Sequence, residues 1–97
     1  MKDLYQSPNQ FNTAILLLIF NRPQTTSKVF ETIKRIKPKK LYIAGDGPRE
    51  NFKNEFAKVN EAREIATNVD WKCDVKTLFS KKNLGCKAGV SKGINWF

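Results

Sequence analysis

Along this chain the apolar positions fall into three short runs separated by helix-like stretches. The first run is the clearest. Ala14–Pro23 reads AILLLIFNRP, seven apolar residues closed by Asn21-Arg22-Pro23. An unbroken run of that length, ended by turn residues, predicts a strand over 14–20 covered on both faces. Behind it, Val29, Ile33 and Ile36 recur at i, i+4 and i+7, with Phe30 beside them, and predict a helix over 24–36. Pro23 suits its first turn, and Thr25, Thr26 or Ser27 would cap it. Lys34, Arg35 and Lys37 favour its carboxyl end and Pro38 stops it.

The same arrangement repeats twice. Lys39–Ala44 predicts a second strand, closed by Gly45-Asp46-Gly47-Pro48-Arg49. A helix over 51–69 follows, with Phe52, Phe56, Val59, Ala62 or Arg63, and Ala66 as its inward stripe. Glu55, Glu61, Glu64, Lys58 and Arg63 form its wet face, and Trp71 covers the connection. Cys73–Phe79 alternates and predicts an edge strand with one wet face, closed by Ser80-Lys81-Lys82-Asn83-Leu84-Gly85. The last helix spans 86–97, with Val90, Ile94 and Phe97 on one face. Gly89 and Gly93 lie on a neighbouring face, where they either let the backbone approach the sheet or a ligand or mean only that the helix is short. Residues 1–13 are polar and read as a loosely held leader, with Phe11 able to close over the sheet.

The predicted fold is therefore a small β-α-β-α-β-α unit, a three-layer α/β/α Rossmann-like half-domain with a parallel sheet in the order 3-2-1. In such a sheet the loops after all three strands meet at one edge, where open α/β sheets bind ligands.

Charge then narrows the ligand. Eighteen Lys and Arg stand against nine Asp and Glu, a net charge of +9, which favours acidic partners. The basic residues are spread along the chain, unlike a clustered nucleic-acid face. At the predicted edge, Arg22 and Arg49 offer forked donors suited to phosphate. Asp46 between two glycines can project a carboxylate toward a ribose or base, or simply make a turn. Lys81, Lys82 and Lys87 surround Asn83-Leu84-Gly85 ahead of a helix N-terminus. The chain has no His, no CxxC, no GxGxxG, no P-loop and no serine elbow. Zinc chemistry, nicotinamide binding, P-loop hydrolysis and triad catalysis are thereby disfavoured. Cys73 and Cys86 read as reduced thiols of a cytoplasmic protein, and no run approaches the ~20 apolar residues of a membrane span.

Four motifs in order, Phe20-Asn21-Arg22-Pro23, Asp46-Gly47-Pro48-Arg49, Asn83-Leu84-Gly85-Cys86 and Gly89–Phe97, carry a resemblance over residues 14–97. The chain resembles the N-terminal half of a GT-A-type glycosyltransferase, of the bacterial nucleotide-diphospho-sugar transferases related to N-acetylglucosaminyltransferase I. The resemblance implies that Phe20, Asn21 and Arg22 line a base and ribose pocket, and that Asp46, with Gly47 and Arg49, contacts base or ribose. It also implies that Asn83, Gly85 and Lys87 lie near ribose and pyrophosphate. The partner would be a UDP- or GDP-type nucleotide-diphosphate sugar. The family's acidic metal motif, which holds Mn2+ or Mg2+, belongs on a strand after the last helix, where this sequence stops. No catalytic or metal residue is therefore expected here, and the 97 residues alone are expected to be inactive. A strand central in the family would become an edge, inviting self-association through 14–20. Two alternatives stay open: a non-enzymatic nucleotide- or polyanion-binding module, and a nucleotidyltransferase fragment.

Overall fold

A computed structural model describes residues 13–97. Apart from Thr13, the expected leader lies outside the described residues, and so does Phe11. Six elements alternate: β1 (Ile15–Ile19), α1 (Pro23–Ile36), β2 (Lys40–Gly45), α2 (Glu55–Thr67), β3 (Asp74–Phe79) and α3 (Cys86–Trp96). The strands are parallel in the order β1-β2-β3, as the crossover pattern predicts. Rungs run Ile15–Leu41–Val75, Leu17–Ile43–Thr77 and Ile19–Gly45–Phe79 on one face of the sheet. Leu16–Tyr42–Lys76 and Leu18–Ala44–Leu78 lie on the other.

The two faces are covered differently. Right-handed crossovers that step steadily in one direction leave their helices on one side of the sheet. Accordingly Leu17, Ile19, Leu41 and Ile43 form one core with Phe30 and Ile33 of α1 and Ala62 and Ala66 of α2. Leu41 and Ile43 are fully buried, so the core centres on β2. Trp71 closes this layer: it lies 5.8 Å from the Phe30 ring, and its Nε1 donates to the Pro38 carbonyl at 2.9 Å. α3 lies across the opposite face. Gly93 is buried there, and a Cβ on it would stand 3.0 Å from Leu18 and 3.1 Å from Ala44. Of the two uses open to that glycine, contact with the sheet is the one realised. Tyr42 meets the rings of Trp96 and Phe97 edge-on at 5.1 Å, which anchors the far end of α3.

Several local expectations are corrected. α1 starts at Pro23 with Arg22 as its N-cap, and no side chain caps it. Thr25, Thr26 and Ser27 already lie inside the helix, and the Thr26 amide donates to the Arg22 carbonyl. α2 starts only at Glu55, after Asn54 turns the chain at φ 65°. Its buried stripe is Glu55, Val59, Ala62 and Ala66, while Phe52 and Phe56 are exposed at 51% and 68%. Phe52 precedes the helix, and Phe56 lies one position round it from Glu55 and off the buried stripe. Glu55, assigned to the wet face, is 4% exposed.

Candidate functional site

The loops after β1, β2 and β3 do converge, and two carboxylates wire them together. Glu55, at the head of α2, holds the first two. Its Oε1 accepts from the Arg49 backbone amide and from Nε, both at 2.8 Å. Its Oε2 accepts from Arg49 Nη2 at 2.6 Å and from Asn21 Nδ2 at 3.0 Å. The forked bond from Arg49 holds the Glu55 carboxyl down at about 2, with Asn21 adding to the effect. Glu55 in turn raises Arg49 above its ordinary value. The Arg49 guanidinium also stacks on Phe52 at 3.6 Å, with Phe20 at 5.7 Å.

Asp46 holds the second and third loops. Its Oδ1 accepts from the amides of Gly47 and Leu84, each at 2.8 Å. Its Oδ2 accepts from the Gly85 amide at 3.0 Å and from Asn83 Nδ2 at 3.2 Å. Four donors fill the acceptor positions of one carboxylate. Asn83 Nδ2 donates as well to the Gly47 carbonyl at 2.9 Å. Gly47 is there because nothing larger fits: a Cβ would come within 2.6 Å of the Lys81 carbonyl oxygen. Beneath both loops, Arg63 Nη2 bridges the carbonyls of Asp46 and Ser80, and its guanidinium lies 4.6 Å over the Phe79 ring. Burial pushes this guanidinium below its ordinary value, and the Asp46 charge partly offsets that. Arg63, one of two candidates for the α2 stripe, thus ties the carboxyl ends of β2 and β3.

A cavity of about 470 Å³ opens beside this network, within the range typical of small-molecule sites. Its wall includes Phe20, Asn21, Arg22, Asp46, Arg49, Asn83 and Gly85, seven of the nine residues singled out from the sequence. Gly47 is buried under Lys81 and Lys82, and Lys87 is exposed; neither lines the cavity. Lys92 does line it, with Thr25 of α1 and Cys86 of α3. Helical spacing could have found Lys92, since it stands one turn beyond Gly89, on the side of α3 that meets the sheet. α1 and α3 cover opposite faces of the sheet, and both contribute to the one cavity. It also touches Leu17, Leu18 and Ile19 in succession, so it wraps round β1 rather than sitting in a simple cleft.

The polar inventory limits the chemistry. Asp46, Glu55, Arg49 and Asn83 are all engaged within the chain. Arg22 and Lys92 supply the exposed cationic groups on the wall. Among the described residues no group of three or more His, Cys, Asp or Glu side chains could hold a metal ion. Asp46 is surrounded by N–H donors and Glu55 is clasped by a guanidinium, so these two rim carboxylates do not fit a divalent cation. Both cysteines are free; Cys86 is exposed, and burial raises Cys73. Among the described residues no helix is long and apolar enough to cross a membrane.

These features define a class by architecture: a three-layer α/β unit with a parallel sheet, whose strand-end loops are fixed around a mostly apolar cavity. No family model, no curated protein and no solved structure matches the chain.

Proposed function

We propose that this chain is the donor-nucleotide-binding portion of a nucleotide-sugar-dependent glycosyltransferase of the GT-A type, binding a UDP- or GDP-type nucleotide. The observation that supports this reading most is the meeting of all three strand-end loops at one cavity of suitable size. In this reading the β1 tip and Phe20 meet the base, and Arg22 and Lys92 neutralise the diphosphate. Asp46 and Glu55 act one step back, as carboxylates that hold the binding loops in place. A clamp of this kind fixes the loops before a ligand arrives, which lowers the ordering cost of binding.

Because the Asp46 carboxylate is spent on the chain itself, its removal would disturb the loops whatever the ligand. Arg22 is the cleaner probe: it is exposed on the cavity wall, and the donors that hold Glu55 and Asp46 are other groups. Calorimetry with UDP, GDP and single-stranded nucleic acid tests the reading. Diphosphonucleoside binding that falls at least fivefold with Arg22→Ala, and again with Lys92→Ala, is the expected result. No heat with millimolar UDP or GDP overturns it. The net charge of +9 favours one second reading, a polyanion-binding module. That reading requires steeply salt-dependent binding to nucleic acid, indifferent to Arg22.

A further inference from the structure

β1 is bonded on one side to β2, and among the described residues nothing pairs with its other edge. The cavity runs along that edge, with Thr25, Thr26 and Val29 of α1 on one side and Gly89, Val90 and Lys92 of α3 on the other. A strand lying beside β1 would thus be covered on both faces, and it must be apolar on both. Exposed apolar side chains already flank the position: Leu18 at 41%, Val29 at 43% and Val90 at 36%. We infer that this slot, the same cavity that the nucleotide reading uses, is a homodimer interface of the nucleotide-free chain, in which β1 of a second copy pairs antiparallel with β1 about a two-fold axis normal to the sheet, so that pairing and nucleotide binding exclude one another.

Three features of the chain select a second copy as the occupant. First, β1 itself has the required chemistry. Ile15, Leu17 and Ile19 lie on one face, Leu16 and Leu18 on the other, and no charge interrupts them. A register centred on Leu17 sets Ile15 opposite Ile19 and Leu16 opposite Leu18 of the second copy, so like faces stay continuous. Second, the pairing closes. It consumes both open β1 edges and gives a six-stranded sheet, β3-β2-β1-β1-β2-β3, ending in two β3 strands. β3 exposes Asp74 and Lys76, charges of the sort that block further edge pairing. Third, the area suits a modest dimer. Five residues of strand give a seam about 17 Å long. Three layers spaced about 10 Å apart give a contact face on the order of 500 Å² per partner, below the ~800 Å² of a standard stable interface. Association should accordingly be weak and reversible.

Net charge supplies the discriminating readout. Two chains of +9 repel, so added salt strengthens a homodimer by screening. An acidic partner in the same slot would instead be weakened by salt. Sedimentation equilibrium of the full chain from about 10 μM to 1 mM, at low and at 0.5 M salt, tests the inference. The expected outcome is a monomer–dimer equilibrium that tightens with salt and loosens at least tenfold in Leu18→Lys. Val29→Lys changes an exposed helix position outside the core and is expected to loosen the dimer as well, with an unchanged circular dichroism spectrum. A monomer at every concentration and salt overturns the inference, and so does a dimer indifferent to both substitutions. Open-ended polymers also overturn it, because an isologous pairing stops at two. Amides of β1 protected from exchange in a strict monomer would assign the slot to residues 1–12 of the same chain, against the dimer.

Discussion

Asp46→Asn is the sharpest test of how the rim is built. The carboxylate accepts two N–H bonds at 2.8 Å on one oxygen and two bonds at 3.0 and 3.2 Å on the other. Asparagine keeps the shape but has only one oxygen. Whichever way its amide turns, an NH2 group faces two donors, so two bonds are lost and replaced by donor–donor contacts. Bonds to a charged group contribute about 1.5–3 kcal/mol each. Leu84 and its amide lie at an exposed loop, which reduces the loss; we take ~2 kcal/mol in total. For a domain of this size, whose whole stability is on the order of 5–15 kcal/mol, that is a large fraction. It corresponds to a fall of about 8–16 °C in Tm. Urea unfolding followed by far-UV circular dichroism and tryptophan fluorescence gives the loss, and native-state amide exchange at Leu84 and Gly85 locates it. Both amides should exchange faster in the variant than amides of β2 do. A change under about 0.5 kcal/mol with unaltered exchange at Leu84 and Gly85 would refute the clamp, since surface substitutions fall in that range. Asp46 would then be a carboxylate held free for a ligand.

Two further predictions concern other parts of the same frame. Glu55 has a folded pKa depressed to about 2 from 4.5, so the stability it contributes is complete above about 4.5 and is lost as pH falls toward 2. A two-dimensional NMR acid titration should show the resonances of Asn21 and Arg49 shifting together in that window, and Glu55→Gln should abolish the common transition. Gly89→Ala and Gly93→Ala each gain about 1 kcal/mol of helix propensity, but only the first keeps it. A Cβ at 89 meets Asp46 Oδ2 at 3.4 Å, an ordinary contact, whereas one at 93 is wedged against Leu18 and Ala44. Thermal melts should rank Gly89→Ala above the parent and Gly93→Ala at or below it; the reverse order would mean that α3 docks differently.

Periodicity made the elements legible, and the reason is local. The run ILLLI has no polar position to place outward, and Pro23 and Pro38 bracket α1. Alternating strands and helices then leave few topologies. What stayed hidden is where a polar group finds its partner. Glu55 lies on the same stripe as Val59, Ala62 and Ala66, so its position alone placed it inward. Read as one of several surface acids it looked exposed, because the guanidinium that makes its burial tolerable comes from a loop whose path no periodicity records. Asp46 shows the same limit from the other side. Its position after a strand was correctly set at the rim, yet its four donors come largely from a loop nearly forty residues further on. A two-glycine turn cannot reveal whether a carboxylate faces a ligand or its own chain.

The sheet register also bears on how this chain folds. Ile15 pairs with Leu41 and Lys40 with Asp74, so every rung spans a complete crossover and none can form as a local hairpin. Such pairing must await loop closure, which makes parallel sheets slow to assemble. β2 touches both neighbours, and α1 and α2 pack side by side on one face of the sheet, so the middle strand is the natural nucleus. Until it is in place, Ile15–Ile19 is a bare apolar segment on a nascent chain. Its exposure during synthesis, more than the final stability of the folded state, would then set how much protein reaches that state without aggregating.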